Sequence, residues 1–124
     1  MRKTLVIIPA FNEEKVIGKT IEGIKAILKY KSPILVIDDG SSDHTRTVAE
    51  KAGAIVVRHP INRGLGGALG TGLYWAKVNN IDYCVTFDAD GQHDPKDLEL
   101  VLESVLNGKV DVAIGSRALE GWKE

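Results

Sequence analysis

Short apolar runs, each followed by turn-forming or acidic residues and then by a stretch of helical period, recur along this chain and limit its fold more than any other feature. Leu5 to Ile8, Ile34 to Ile37, Ile55 to Val57, Tyr83 to Phe87 and Val110 to Ile114 are nearly continuous in apolar side chains. A strand with one wet face alternates apolar and polar residues, whereas a continuous run fits a strand buried on both faces of a parallel sheet. The first intervening segment carries Ile17, Ile21, Ile24 and Leu28 on one helical face, and predicts a helix capped by Asn12 with Glu13 and Glu14 in its first turn. A second helix is expected from about Asp43 to Lys51, with Val48, Ala49 and Ala52 as its apolar side and Gly53 placed to end it. A third follows Gly64 and includes Leu69, Leu73 and Ala76. A fourth starts after Asp94-Pro95, buries Leu98, Val101, Leu102 and Val105, and stops near Asn107-Gly108. This alternation predicts an α/β fold in three layers, a mostly parallel sheet between helices, with a crevice at the carboxyl edge where the strand order reverses.

Composition narrows the function classes. A chain of 124 residues, 44% hydrophobic and 27% charged, is expected to form a single domain over residues 1–124 with its own core. The net charge of −1 and the scatter of the 16 Lys and Arg argue against a nucleic-acid partner, which would call for a basic stripe. Cys84 is the one cysteine and lies inside an apolar run, so an internal disulfide is excluded and an intracellular, cytoplasmic setting fits. Met1-Arg2-Lys3 before Leu5-Val6-Ile7-Ile8 has the charge order of a signal sequence, but Pro9 and Asn12-Glu13-Glu14 interrupt it and the run is read as a strand. No stretch reaches the roughly 18 apolar residues of a membrane span. Membrane contact through this chain would therefore be peripheral.

The acidic residues sit where such a sheet gathers its ligand. Glu13 follows the first run, Asp38-Asp39 the second, and Asp88-Ala89-Asp90 the fourth. Residues two apart on an extended segment point to the same side, so Asp88 and Asp90 can converge on one hard cation that in turn holds phosphate oxygens. Other motif matches fail. Gly18-Lys19-Thr20 lacks the upstream glycine of a P-loop, since position 13 is Glu, and it falls inside the first helix. Gly64-Leu65-Gly66-Gly67-Ala68-Leu69-Gly70 has Leu69 at the last glycine of a dinucleotide fingerprint and does not follow the first strand. Its glycines serve either close packing of the third helix or room for a bound nucleotide. His44, His59 and His93 have no partners at zinc spacing; His44 and His59 read as surface or loop residues.

Pro9-Ala10-Phe11-Asn12-Glu13, Val36-Ile37-Asp38-Asp39-Gly40-Ser41-Ser42-Asp43, Asp88-Ala89-Asp90-Gly91-Gln92-His93-Asp94-Pro95 and Gly115-Ser116-Arg117 together resemble the inverting GT-A glycosyltransferases of family 2. Within that family the last two motifs look most like the polyprenyl-phosphate (dolichol-phosphate) mannosyl- and glucosyltransferases. The resemblance runs over essentially the whole chain and implies a Rossmann-like nucleotide-binding core. It implies a nucleoside pocket lined by Pro9, Ala10, Phe11 and Glu13, with Asp39 hydrogen-bonding the base. Asp38 is either part of that pocket or the cap of the Gly40-Ser41-Ser42 turn. Many relatives carry Tyr at the position of Phe11, so a phenolic contact is lost here while ring packing survives.

Asp88, Asp90 and Gln92 match the family's metal-binding run for Mg²⁺ or Mn²⁺, and Arg117 matches an arginine associated with substrate phosphates. The implied donor is a nucleoside diphosphate sugar of the GDP-mannose or UDP-glucose type, and the implied acceptor a polyprenyl phosphate at a membrane surface. A phosphate acceptor has a second pKa of about 6 and is largely ionised at neutral pH, whereas a hydroxyl needs a base. No general base is identified in the chain. Family members continue past the Arg117 motif into an acceptor-binding region, so these residues are expected to form the donor-binding part without the acceptor half. Apolar surface left by that half would favour homo-oligomers. Two other classes remain: a non-catalytic nucleotide-sugar-binding module, and a phosphoacceptor receiver domain of similar length.

Overall fold

The structure is a computed structural model that describes residues 3–27, 32–89 and the strand at 112–115. In chain order its elements are β1 (Thr4–Ala10), α1 (Ile17–Ile27), β2 (Ile34–Asp38), α2 (Thr45–Lys51), β3 (Ile55–Arg58), α3 (Gly64–Val78), β4 (Tyr83–Phe87) and β5 (Val112–Gly115). Leu28 and the expected fourth helix lie outside the described residues.

The strands form one sheet in the order β3-β2-β1-β4-β5, and every pairing is parallel. The chain steps outward from β1 through β2 to β3, then returns to the other side of β1 for β4 and β5. That reversal is the switch point beside which open α/β sheets bind ligands. It also excludes the receiver topology, which has β1 and β3 as neighbours.

Strand alternation sorts the core into two faces. Val6, Ile8, Val36, Val85 and Phe87 point to one, where α1 contributes Ile17, Ile21 and Ile24, and α2 contributes Ala49. Ile17, Ile21 and Ile24 are fully buried, as their spacing predicts. Leu5, Ile7, Leu35, Ile37 and Cys84 point to the other, where α3 packs through Ala68 and Ala76. These are the three layers expected.

Two helices depart from expectation. Regular α1 begins at Ile17, and Glu13 and Glu14 precede it; Asn12 is no N-cap but adopts a left-handed backbone with φ 53°. In α3 the buried stripe is Ala68, Gly72 and Ala76, while Leu73 is exposed. A Cβ on Gly72 would stand 2.7 Å from Ile7 Cγ2, so the helix lies too close to β1 for larger side chains on that stripe. α2 ends as foreseen: Ala54 N–H donates to the Ala49 carbonyl and Gly53 N–H to that of Glu50, a Schellman closure. No helix among the described residues is long and apolar enough to cross a membrane.

Candidate functional site

The carboxyl edge of the sheet is assembled by extending the parallel ladder past the strands. Asp39 N–H donates to the Ala10 carbonyl at 2.8 Å, and His59 N–H to the Asp38 carbonyl at 2.8 Å. The loops after β1, β2 and β3 are thereby held side by side, and the end of β1 lies between the ends of β2 and β4.

Hydrogen bonds lace the first two loops together. Asn12 N–H donates to Ser41 Oγ at 2.8 Å, and Asn12 Oδ1 accepts from Ser42 N–H at 2.8 Å. Glu13 N–H donates to Thr45 Oγ1 at 2.8 Å, and that hydroxyl donates to Asp43. Asp43 also accepts from the N–H groups of Glu14 and Thr45. Burial alone would raise the Asp43 carboxyl, but these donors outweigh it and hold the group below the ordinary carboxylate range. The third loop closes against the second at Gly40, whose φ is 78°; a Cβ there would meet Asn62 N at 2.6 Å.

The alternation of the strands separates the adjacent aspartates. Asp38 continues the series Ile34, Val36 toward the α1 and α2 side, and its Oδ1 accepts from Ser41 N–H at 3.0 Å. Arg58 Nε lies 3.8 Å from its Oδ2. Turn capping, one of the two readings of Asp38, is thus present. Asp39 continues the series Leu35, Ile37 toward α3. Its Oδ1 accepts from Arg63 N–H at 2.9 Å and pairs with His59 Nδ1 at 2.7 Å, while Oδ2 accepts from Gly64 N–H at 2.9 Å. Here too burial would raise the carboxyl, and the Arg63, His59 and Gly64 donors together bring it below its ordinary value.

His59 corrects the reading of a surface residue. It is 5% exposed, and its Nε2 lies 2.7 Å from Thr71 Oγ1 on α3. The available signal was its place, directly after β3 on the same rim as Asp39; its partners lie 20 and 12 residues away and leave no local pattern.

Among the other residues expected at the site, Pro9 lies within β1 opposite Ile37. Ala10 has its methyl group in the core on the α1 and α2 side, so only its backbone faces the rim. Phe11 is 47% exposed, Glu13 is partly buried, and Asp88 is partly buried directly after β4. Asp90, Gln92 and Arg117 lie outside the described residues. Among the described residues no three His, Cys, Asp or Glu side chains gather as a metal site. Thr86, two residues before Asp88 on the α3 face, has a buried hydroxyl oxygen with no hydrogen-bond partner among the described residues. The Asp88 carboxylate directly after β4 supplies hard oxygen of the kind that Mg²⁺ or Mn²⁺ takes.

The glycines of α3 divide by role. Gly66 and Gly70 have no atom within 4 Å of a would-be Cβ, so close packing does not explain them, and Gly72 carries that function instead.

A family model described as Glycosyl transferase family 2 matches residues 5–124. The chain is 54% identical over 115 residues to an uncharacterized protein of Methanocaldococcus jannaschii, covering 93% of this chain and 46% of that protein. It is 35% identical over 126 residues to the undecaprenyl-phosphate mannosyltransferase of Micrococcus luteus, covering 98% and 51%. Its fold superposes with a TM-score of 0.71 and 29% identity on glucosyl-3-phosphoglycerate synthase from Mycobacterium tuberculosis, covering 85% of this chain and 39% of that one. That structure was solved with Mn²⁺, UDP and phosphoglyceric acid. The chain spans about half the length of the curated relatives it matches.

Proposed function

The chain belongs to glycosyl transferase family 2, and from that premise we propose that it is the donor-binding part of an inverting, metal-dependent hexosyltransferase that uses a nucleoside diphosphate sugar and a polyprenyl phosphate acceptor. The observation that carries this reading is the reversal of strand order at β1, which sets the Phe11 to Glu13 loop between Asp39 and Asp88. The Micrococcus luteus relative supports the lipid-phosphate acceptor, and the UDP and Mn²⁺ complex of the Mycobacterium tuberculosis enzyme supports the donor class.

In this reading the exposed Phe11 ring packs on the nucleoside and Asp39 accepts an N–H of the base. Asp88, with Asp90 and Gln92, would hold Mg²⁺ or Mn²⁺, which supplies a Lewis acid for the charge of the departing diphosphate. Arg117 contributes a planar cation for substrate phosphate. The acceptor phosphate is already largely ionised at neutral pH, which fits a site without an identified base.

The test is calorimetric titration with UDP and GDP in Mn²⁺, repeated with chelator, followed by transfer assays on polyprenyl phosphate and on a hydroxyl acceptor. Metal-dependent binding is expected, and Asp88→Asn should weaken it at least about tenfold, roughly 1.4 kcal/mol, while the chelator-treated affinity stays the same. Transfer to the hydroxyl acceptor alone would overturn the lipid-phosphate assignment. Binding without transfer to either acceptor would favour a nucleotide-sugar-binding module.

A further inference from the structure

Helix capping accounts for only part of the hydrogen bonding around Asp39. The N–H groups of Arg63 and Gly64 start α3, and a carboxylate that accepts both would satisfy them without help. His59 adds a third bond to the same carboxylate and is itself braced by Thr71. The result is a chain from the end of β2, through the end of β3, to the second turn of α3, buried at Asp39 and His59 and partly buried at Thr71.

A carboxylate offers about four acceptor positions. Oδ1 of Asp39 is filled by His59 and Arg63, and Oδ2 accepts once, from Gly64. Among the described residues one acceptor position on Oδ2 therefore remains. Three donors fix the plane of the carboxylate, so that position has one direction. The ionised form has no proton to give, so His59 must be the donor through Nδ1–H. In the neutral ring Nε2 accepts the Thr71 hydroxyl, so that both imidazole nitrogens and the hydroxyl have partners.

We propose that His59 is a positioning residue for nucleobase recognition: through Nδ1–H it orients Asp39 so that the remaining Oδ2 position accepts the ring N–H of a uracil or guanine base and disfavours a base with a ring acceptor there. This rests on the reading of Asp39 as the base contact. A ring nitrogen lone pair facing a fixed carboxylate is repelled and left unpaired, which is how cytosine and adenine would be rejected. Thr71 holds the imidazole from behind.

Two replacements separate the bonds of the imidazole. In His59→Asn the amide N–H can stand near Nδ1 and keep the bond to Asp39. In His59→Gln the amide reaches the Nε2 position and keeps Thr71 but leaves Oδ1 with the Arg63 N–H alone. Affinities for UDP, GDP, CDP and ADP in Mn²⁺ are measured for each protein, with melting temperature alongside. The wild type is expected to prefer UDP or GDP over CDP and ADP by at least about tenfold, His59→Asn to retain that preference, and His59→Gln to reduce it below about threefold. A His59→Gln protein that melts like the wild type and keeps the full preference would overturn the proposal.

A wild type that binds all four nucleotides equally would overturn this inference alone. One that binds none would remove the donor-site reading, and this inference with it. If both variants fail to fold, imidazole ¹⁵N and Nδ1–H resonances of the wild type decide: they should report the Nδ1-protonated form and shift on saturation with UDP or GDP. Resonances unmoved at saturation would overturn the assignment.

Discussion

Asp39 and Asp43 carry the clearest pH signature at the scale of single residues. Both carboxyls lie below their ordinary value in the folded state, so each binds its proton more readily when unfolded. Their contribution to stability is present above the ordinary value of about 4 and is lost as pH falls through it toward the depressed folded values. Melting temperature followed from pH 7 to about 3 should fall steeply below about 5. Asp43→Asn should flatten that limb and cost about 1.5–3 kcal/mol at neutral pH, since its charge-assisted bonds from Glu14, Thr45 N–H and the Thr45 hydroxyl are replaced or lost. Single residues were unevenly legible. The separation of Asp38 from Asp39 follows from alternation along Ile34 to Ile37, a pattern visible in the chain. The burial of His59 does not, because it depends on Asp39 and Thr71 being brought to it by the fold.

At the scale of elements, α1 and α3 show when an apolar stripe can be trusted. Ile17, Ile21 and Ile24 of α1 are fully buried on their face of the sheet, so their periodicity names the buried side correctly. α3 approaches its face so closely that small residues take the contact, and Leu73 is left outside although its hydropathy promised the reverse. Gly72→Ala should therefore destabilise by about 1–3 kcal/mol, the usual cost of overpacking. Gly66→Ala and Gly70→Ala add a methyl group in open space on a helix, and each should stabilise by up to about 1 kcal/mol. Urea denaturation of the three variants checks the contrast. If Gly66→Ala also weakens nucleotide binding, the outward glycines serve the ligand.

Across the whole molecule, the two faces of the sheet are held by different means. One is filled by branched aliphatic side chains from α1, the other by close backbone approach of α3. Ile21→Ala should cost about 2–5 kcal/mol with an unchanged denaturant slope, because its deletion leaves a hole beneath two helices that cannot both collapse into it. The layer architecture and parallel pairing were legible from the continuous apolar runs, since only strands covered on both sides read that way. Strand order was not: alternation of strand and helix is common to several orders, and the reversal at β1 is set by three-dimensional pairing.

The lacing of the first two loops through Asn12, Ser41, Ser42, Thr45 and Asp43 bears on how a ligand would arrive. A rim already ordered by its own bonds has little entropy to surrender, so encounter should resemble docking onto a rigid lip. Stopped-flow traces with nucleotide should be single-exponential, with rates that rise linearly with concentration and reach no plateau.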